Sequence, residues 1–190
     1  MNAAQPPHEI GVIHGRFQIL HNDHLRYLLA GKEQCRRLVV GITNPDPFTT
    51  KKEETNPERS DPRANPLTYH ERYSMVRTAL TEAGVSDRDL DVVPFPISMP
   101  ERYRFYVPMD AVFFLSIYDD WGRRKHRYFS SIGLNTHVLW EVPPEEKGIS
   151  ATDIRRQILA DQPWQHLVPA CVPPLIERWD IRERLKKLGK

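Results

Sequence analysis

Between residues 14 and 24 the chain crowds together His14, Arg16, Gln18, His21, Asn22, Asp23 and His24, directly after an apolar run. Gly15 lets the backbone turn tightly and approach a ligand closely. Arg16 offers a planar fork of donors to phosphate oxygens. Asn22 or Asp23 can cap a helix, which places His24 in its first turn, where unpaired N–H groups and the helix dipole already favour an anion. His21 and His24, three residues apart, can converge on one group across that helix entrance. Taken singly, a histidine near a helix start is an ordinary surface residue, and Asn22 and Asp23 are explained by capping. Two histidines can also share zinc, but a structural zinc site needs four ligands and neither cysteine is near in sequence. Taken together, the run reads as a phosphate pocket.

Such a pocket needs a frame. Residues 9–14 (EIGVIH) and 37–43 (RLVVGIT) read as short buried strands, and Leu25, Leu28 and Leu29 recur at helical spacing across 23–33 between them. Strand, helix and strand over so short a distance form a βαβ unit with a right-handed crossover. Further apolar runs lie at 91–95, 111–116 and 136–142, separated by helical patterns that include Thr68 to Ala83 and Tyr118 to Ser131. The fold class is therefore α/β: a Rossmann-like open parallel sheet with helices on both faces. Ligands bind such sheets beyond the carboxyl ends of the strands, where strand order reverses. Thr68 with Glu71, and Ser150 with Asp153, read as capping boxes. From Ile149 onward the chain reads as a helical C-terminal end, with Trp164 and Leu167 packing and one last helix opened by Pro173-Pro174, carrying Leu175, Ile176, Trp179 and Leu185. Segment 44–67, rich in proline and charge, is long against the about 4 to 6 residues usual for a connection. It reads as a lid or binding loop, or as mobile decoration, within one domain spanning 1–190.

Composition narrows the function. The chain has 190 residues, 39% hydrophobic and 27% charged, which suits one ordinary globular domain. No run approaches the ~20 apolar residues of a membrane span, and the first residues lack the pattern of a signal peptide. The two cysteines, Cys35 and Cys171, form no metal-binding or disulfide framework and suit a reducing compartment. The expectation is a cytoplasmic protein. A net charge of +2 argues against bulk nucleic-acid binding, and the clusters at Arg36-Arg37, Arg123-Arg124-Lys125 and Lys186-Lys187 read as solvated helix faces and ends.

The motifs also carry a resemblance. GRFQ followed by HNDH resembles the GRFQPxHxGH signature of the nucleotidylyltransferase superfamily, and ISATDIR at 149–155 resembles its second signature, ISSTxxR. Asn65-Pro66-Leu67-Thr68 with Glu71-Arg72 is similar to the NPFTxxER stretch of archaeal-type nicotinamide-nucleotide adenylyltransferases, and the tail from Ile154 is similar to their C-terminal helices. The resemblance implies transfer of AMP from ATP to nicotinamide or nicotinate mononucleotide, releasing pyrophosphate. In this reading His21, His24 and Arg155 are catalytic, steadying charge on the phosphates and leaving group. Gly15, Arg16, Phe17, Gln18, Asp23, Ser150 and Thr152 bind ATP and its phosphates, with Mg2+ bridging phosphate oxygens. Tyr103, Phe105 and Tyr106 are candidates to stack on the acceptor's ring, or are packing residues. The implied partners are small-molecule substrates, with neither nucleic acid nor membrane, in a homo-oligomer.

Three departures bear on the substrate. Asp23 stands where the signature has glycine, where it could cap the helix, bind a ribose hydroxyl or help hold Mg2+. Ile19 replaces a proline. After AVFFLS the family's TGN-like turn is absent, and SIYDDWGRRKHR occupies its place. Two alternatives follow: a nucleotidylyltransferase of the same fold with another phosphomonoester acceptor or CTP as donor, and a non-catalytic nucleotide-sensing module.

Overall fold

The computed structural model describes residues 6–47, 61–146 and 148–189. Five strands, β1 (His8–Gly15), β2 (Cys35–Thr43), β3 (Leu90–Phe95), β4 (Val112–Ile117) and β5 (Asn135–Glu141), form one parallel sheet in the order β3-β2-β1-β4-β5. Each expected apolar run is a strand. Their valine, isoleucine and phenylalanine content follows from burial on both faces, since helices cover a parallel sheet on each side. The order reverses at β1, which lies between β2 and β4, so the crevice for a ligand opens where β1 and β4 part.

Among the described residues six α-helices surround this sheet: α1 (Asn22–Glu33), α2 (Tyr69–Glu82), α3 (Asp120–Ser131), α4 (Ala151–Leu159), α5 (Val172–Arg178) and α6 (Ile181–Leu188). One apolar cluster joins Ile13, Val40 and Phe114 to Leu28 of α1, Met75 of α2, Ile154 of α4, Ile176 of α5 and Leu185 of α6. The other joins Val12, Val39 and Phe113 to Phe129 of α3 and to Tyr103 and Val107. Alternation along β1 sends Val12 and Ile13 to opposite faces, so the two clusters sandwich the sheet.

Helix α2 begins as its sequence predicts. The Thr68 hydroxyl accepts the Glu71 N–H, and the Glu71 carboxylate accepts the Thr68 N–H at 2.8 Å. The same carboxylate takes two bonds from Arg184 of α6, at 2.7 and 2.8 Å. Burial works to raise the Glu71 pKa, yet the bonds from Arg184 and Thr68 outweigh it and hold the carboxyl below its ordinary value. Helix α3 starts at Asp120 rather than Tyr118, because Asp119 caps it by accepting the Gly122 N–H. The single last helix of the sequence reading is two. Asp180 adopts φ 50° and turns the chain between α5 and α6, so Trp179 ends one helix instead of lying within a longer one. Of the segment 44–67, read as a lid or binding loop, residues 48–60 lie outside the described residues; Pro62–Ala64 form a 3₁₀ turn capped by Asp61. No helix among the described residues is long and apolar enough to cross a membrane.

Candidate active site

At the β1–β4 switch point lies a cleft of about 990 Å³. Its walls include Gly15, Arg16, Phe17, Gln18, His21, Asp23 and His24 from the β1–α1 connection, and Ser150, Thr152 and Arg155 from the start of α4. The two motif segments, more than a hundred residues apart in the chain, thus face each other across one space.

The first loop is built from inside. Phe17 takes φ 52°, which folds its fully buried ring back over Gly15, where a Cβ would lie 2.7 Å from Phe17 Cζ. Glycine is therefore required at 15 by its neighbour two residues on. The Phe17 ring meets the edge of His24 at 5.2 Å. Gln18 is consumed by the fold: its amide donates to the Leu67 carbonyl at 3.0 Å and accepts the Leu67 N–H at 2.8 Å. The side chains of Phe17 and Gln18 thus shape the loop from within while both residues line the cleft. Beneath the loop, Arg72 is 1% exposed and spreads its donors over the carbonyls of Arg16, Thr43, Asn44 and Thr68. Burial and the neighbouring Arg16 lower its pKa to about 10, so it remains a cation at neutral pH.

His21, and not Asn22 or Asp23, caps α1. Its Nδ1 accepts the His24 N–H at 3.3 Å, while Asn22 donates to the His166 carbonyl. With Nδ1 accepting, the proton of the neutral ring belongs on Nε2, assigned from this bonding. The His21 and His24 rings stack with centroids 3.6 Å apart. Burial lowers His21 to about 4 against a partial rise from Asp23. His24 is pushed down by burial, His21 and Arg16 against a partial rise from its bond to the Ile19 backbone, and among the described residues its Nδ1 has no hydrogen-bond partner. Both imidazoles are thus neutral at neutral pH and packed side by side at the entrance of α1, with His21 Nε2–H as the donor and the His24 N–H turned to the Ile19 backbone.

Asp23 does something the sequence did not suggest. Its Oδ2 accepts the Ile149 N–H at 2.7 Å, tying α1 to the second motif. A Cβ on Gly148 would sit 2.3 Å from the same oxygen, so the carboxylate occupies space only a glycine leaves. At α4, Ser150 caps the helix by accepting the Asp153 N–H, and its hydroxyl donates to Asp153 Oδ2 at 2.6 Å. Arg155 donates to the Gln18 carbonyl and, at 3.1 Å, to the Thr152 hydroxyl, so its guanidinium bridges the two motifs while lining the cleft. Burial lowers its pKa, as expected of a cation held without a carboxylate. The first-turn N–H groups of α4 and its dipole add to this positive edge.

The proposed ring-stacking residues do not reach the cleft. Tyr103 is fully buried in the second cluster, its hydroxyl donating to the Ile97 carbonyl at 2.5 Å. Phe105 is 70% exposed beneath the Arg104 guanidinium, and Tyr106 packs against the second cluster. In their place the cleft receives His14, Arg63, Tyr118, Trp121 and Lys125. The signal for the last three was the departure at 116–127; for His14 it was one polar residue at the end of an apolar strand.

Among the described residues no group of three histidine, cysteine or acidic side chains converges as a metal cage. The carboxylates that line the cleft are engaged: Asp23 by Ile149, Asp61 by Arg63 and Asp119 by the Gly122 N–H. Such a lining fits Mg2+ as an ion carried by nucleotide phosphates, which needs few protein carboxylates.

Residues 12–157 match the cytidylyltransferase-like family, and the chain belongs to it. A phosphonoformate cytidylyltransferase of Streptomyces viridochromogenes is 54% identical over 176 residues, spanning 93% of this chain and 95% of that protein. A nicotinamide-nucleotide adenylyltransferase of Thermococcus sibiricus is 31% identical over 181 residues, spanning 94% of this chain and 89% of that protein. Among solved structures, a bifunctional NMN adenylyltransferase/ADP ribose pyrophosphatase of Francisella tularensis superposes with a TM-score of 0.66 at 14% identity, covering 95% of this chain and 52% of that one. That likeness shows the fold. The chain is an enzyme of the nucleotidylyltransferase class, related to the nicotinamide-nucleotide adenylyltransferases.

Proposed function

We propose that this nucleotidylyltransferase transfers CMP from CTP to the phosphonate of phosphonoformate, or of a similarly small phosphonocarboxylate, and releases pyrophosphate. The observation that carries this reading is the 54% identity to the phosphonoformate cytidylyltransferase across nearly the whole of both chains. Identity to the adenylyltransferase of Thermococcus sibiricus is 31% over a similar span. The cleft supports the same choice. Tyr103, Phe105 and Tyr106 lie outside it, and Arg16 and Lys125 line it beside Tyr118 and Trp121. A small, multiply charged acceptor suits such walls.

A phosphonate oxygen, anionic at neutral pH, attacks the α-phosphorus of CTP. The bond from that phosphorus to the α,β-bridging oxygen breaks, and pyrophosphate leaves with its electron pair. No protein base is needed and no covalent enzyme intermediate forms. The protein's work is to bring two polyanions together and meet charge as it moves to the leaving group. His21 donates to phosphate oxygen through Nε2–H, beside His24. Arg155 and the α4 entrance, with Ser150 and Thr152, receive the leaving pyrophosphate. Gly15 and Arg16 present the first loop to the nucleotide. Mg2+, carried by the phosphates, would neutralise part of their charge.

The test crosses CTP and ATP with phosphonoformate and nicotinamide mononucleotide, reading pyrophosphate release. The expected result is turnover with CTP and phosphonoformate at least about 100-fold above every other pair. Turnover highest with ATP and nicotinamide mononucleotide would overturn the reading.

A further inference from the structure

His14 is out of character with its strand. Val12 and Ile13 are apolar and wholly inaccessible, as a strand covered on both faces requires. Two residues on from Val12, His14 lies on the face covered by α3, and its ring centroid is 5.6 Å from that of Phe95 and 5.4 Å from that of Phe129. The residue is 6% exposed, and neither Nδ1 nor Nε2 has a hydrogen-bond partner among the described residues. Buried polar atoms are nearly always satisfied, and an orphan signals strain, chemistry or a ligand. A histidine kept for packing alone would bond at least one nitrogen within the fold. Both nitrogens of this one are unmet, and the residue lines the cleft.

The surroundings say what it would meet. Lys125 of α3 lines the same cleft, with its ammonium 4.7 Å from the centroid of the Trp121 ring, which also lines it. Burial first, and the Lys125 charge second, hold His14 neutral, so its ring offers one N–H donor and one lone pair. A neutral donor and an ammonium between aromatic walls suit a compact planar anion better than a base or sugar. The corner is also on the far side of β1 from the triphosphate machinery. Helices α1 and α4 pack against the first apolar cluster, whereas His14 shares a face with the second. Two anion-receptive corners therefore flank the carboxyl end of one strand, as a two-anion acceptor bound beside a nucleotide requires.

We propose that His14 and Lys125 form the subsite for the acceptor's carboxylate, with His14 selecting acceptors that carry a carboxylate beside the phosphonate. The inference rests on the functional reading above and deepens it.

The experiment compares the parent enzyme with His14→Leu, of similar bulk and apolar, in CTP-dependent pyrophosphate release. The acceptors are phosphonoformate and methylphosphonate, which lacks the carboxylate; the KM for CTP and the melting temperature are followed in parallel. The expected result is a KM for phosphonoformate raised about 10- to 100-fold, the range for losing a hydrogen bond to a charged group. Preference over methylphosphonate falls by the same factor, the KM for CTP stays within about twofold, and the melting temperature does not drop. Unchanged preference in the folded variant overturns the proposal, and so does an effect on the KM for CTP in place of that for the acceptor. Should His14→Leu not fold, Lys125→Met carries the same expectation, and preserved preference there overturns it. If the parent fails to turn over phosphonoformate with CTP, the functional reading falls and this inference with it. Parent turnover with preference intact in the variants removes this inference alone.

Discussion

Asp23 and Gly148 form a pair whose coupling can be measured. Asp23→Ala removes the acceptor of the Ile149 N–H, a bond of 2.7 Å. Gly148→Ala leaves Asp23 in place but sets a methyl group 2.3 Å from its Oδ2. Gly148 is not among the positive-φ glycines, so the backbone accepts alanine and the carboxylate is its one severe obstacle. The carboxylate must swing away, and the bond to Ile149 is lost with it. Both substitutions therefore break the same tie between α1 and the second motif. A hydrogen bond to a charged group contributes about 1.5–3 kcal/mol, and the partial exposure of Asp23 trims this to about 1–2 kcal/mol. Should the tie hold the cleft in its working shape, kcat/KM falls about 5- to 30-fold in either variant. Thermal melts should drop by about 2–8 °C for a chain of this size.

The double variant decides between a shared mechanism and two separate defects. With the carboxylate gone, a methyl at 148 meets nothing else as close, so Asp23→Ala with Gly148→Ala should be no worse than either single change. The coupling in the cycle then equals the whole single-variant effect. The assay is pyrophosphate release and thermal melting on all four proteins. Losses that multiply in the double variant would refute the reasoning, as would an Asp23→Ala enzyme faster than its parent.

Two further expectations follow from the paired imidazoles. His24→Ala should lower kcat about 10²- to 10³-fold, the scale for removing a group that acts in the transition state; an unchanged kcat would remove His24 from the proposed catalytic set. His21, with a pKa of about 4 in the fold against an ordinary 6.5, refuses a proton that the unfolded chain accepts between those values. Stability therefore falls as pH drops through that window, by up to about 3 kcal/mol from His21 alone. His14 and His24 shift in the same direction. Melting temperatures from pH 7 to 4.5 should decline less steeply in His21→Gln than in the parent, and parallel slopes would contradict this.

The parallel sheet was legible because strands covered on both faces must be apolar throughout, and short runs such as RLVVGIT have no other use in a chain of this kind. Helix α2 was legible to its first residue because Thr68 and Glu71 act within one turn. The start of α1 was not, since Asn22 and Asp23 are both good caps by type, and each was drawn away by a distant backbone group, His166 and Ile149. Gln18 has the same history: its amide reads as a ligand contact until Leu67, 49 residues on, closes over it. The break at Trp179–Asp180 carries neither glycine nor proline, so nothing local announced it. Sequence reports what a side chain can bond; the fold decides which partner arrives first.

That distinction explains why the motifs identified an enzyme class more readily than a substrate. CTP and ATP carry the same triphosphate, and a cradle of imidazoles, an arginine and a helix entrance responds only to that shared part. Discrimination must come from residues outside the motifs, and the two segments that flank β4 behave differently. From residues 97–108 only Tyr103 and Val107 turn inward, into the second apolar cluster, and Ile97 alone of that stretch lines the cleft. Residues 116–125 turn toward the ligand space, contributing Ser116, Tyr118, Asp119, Trp121, Gly122 and Lys125. The turn after β4 also begins α3, whose Phe129 packs on His14. A change in that one turn therefore moves the cation, the aromatic wall and the support of the orphan imidazole together. Acceptor choice in this fold can then shift through a single segment while the triphosphate cradle keeps its form.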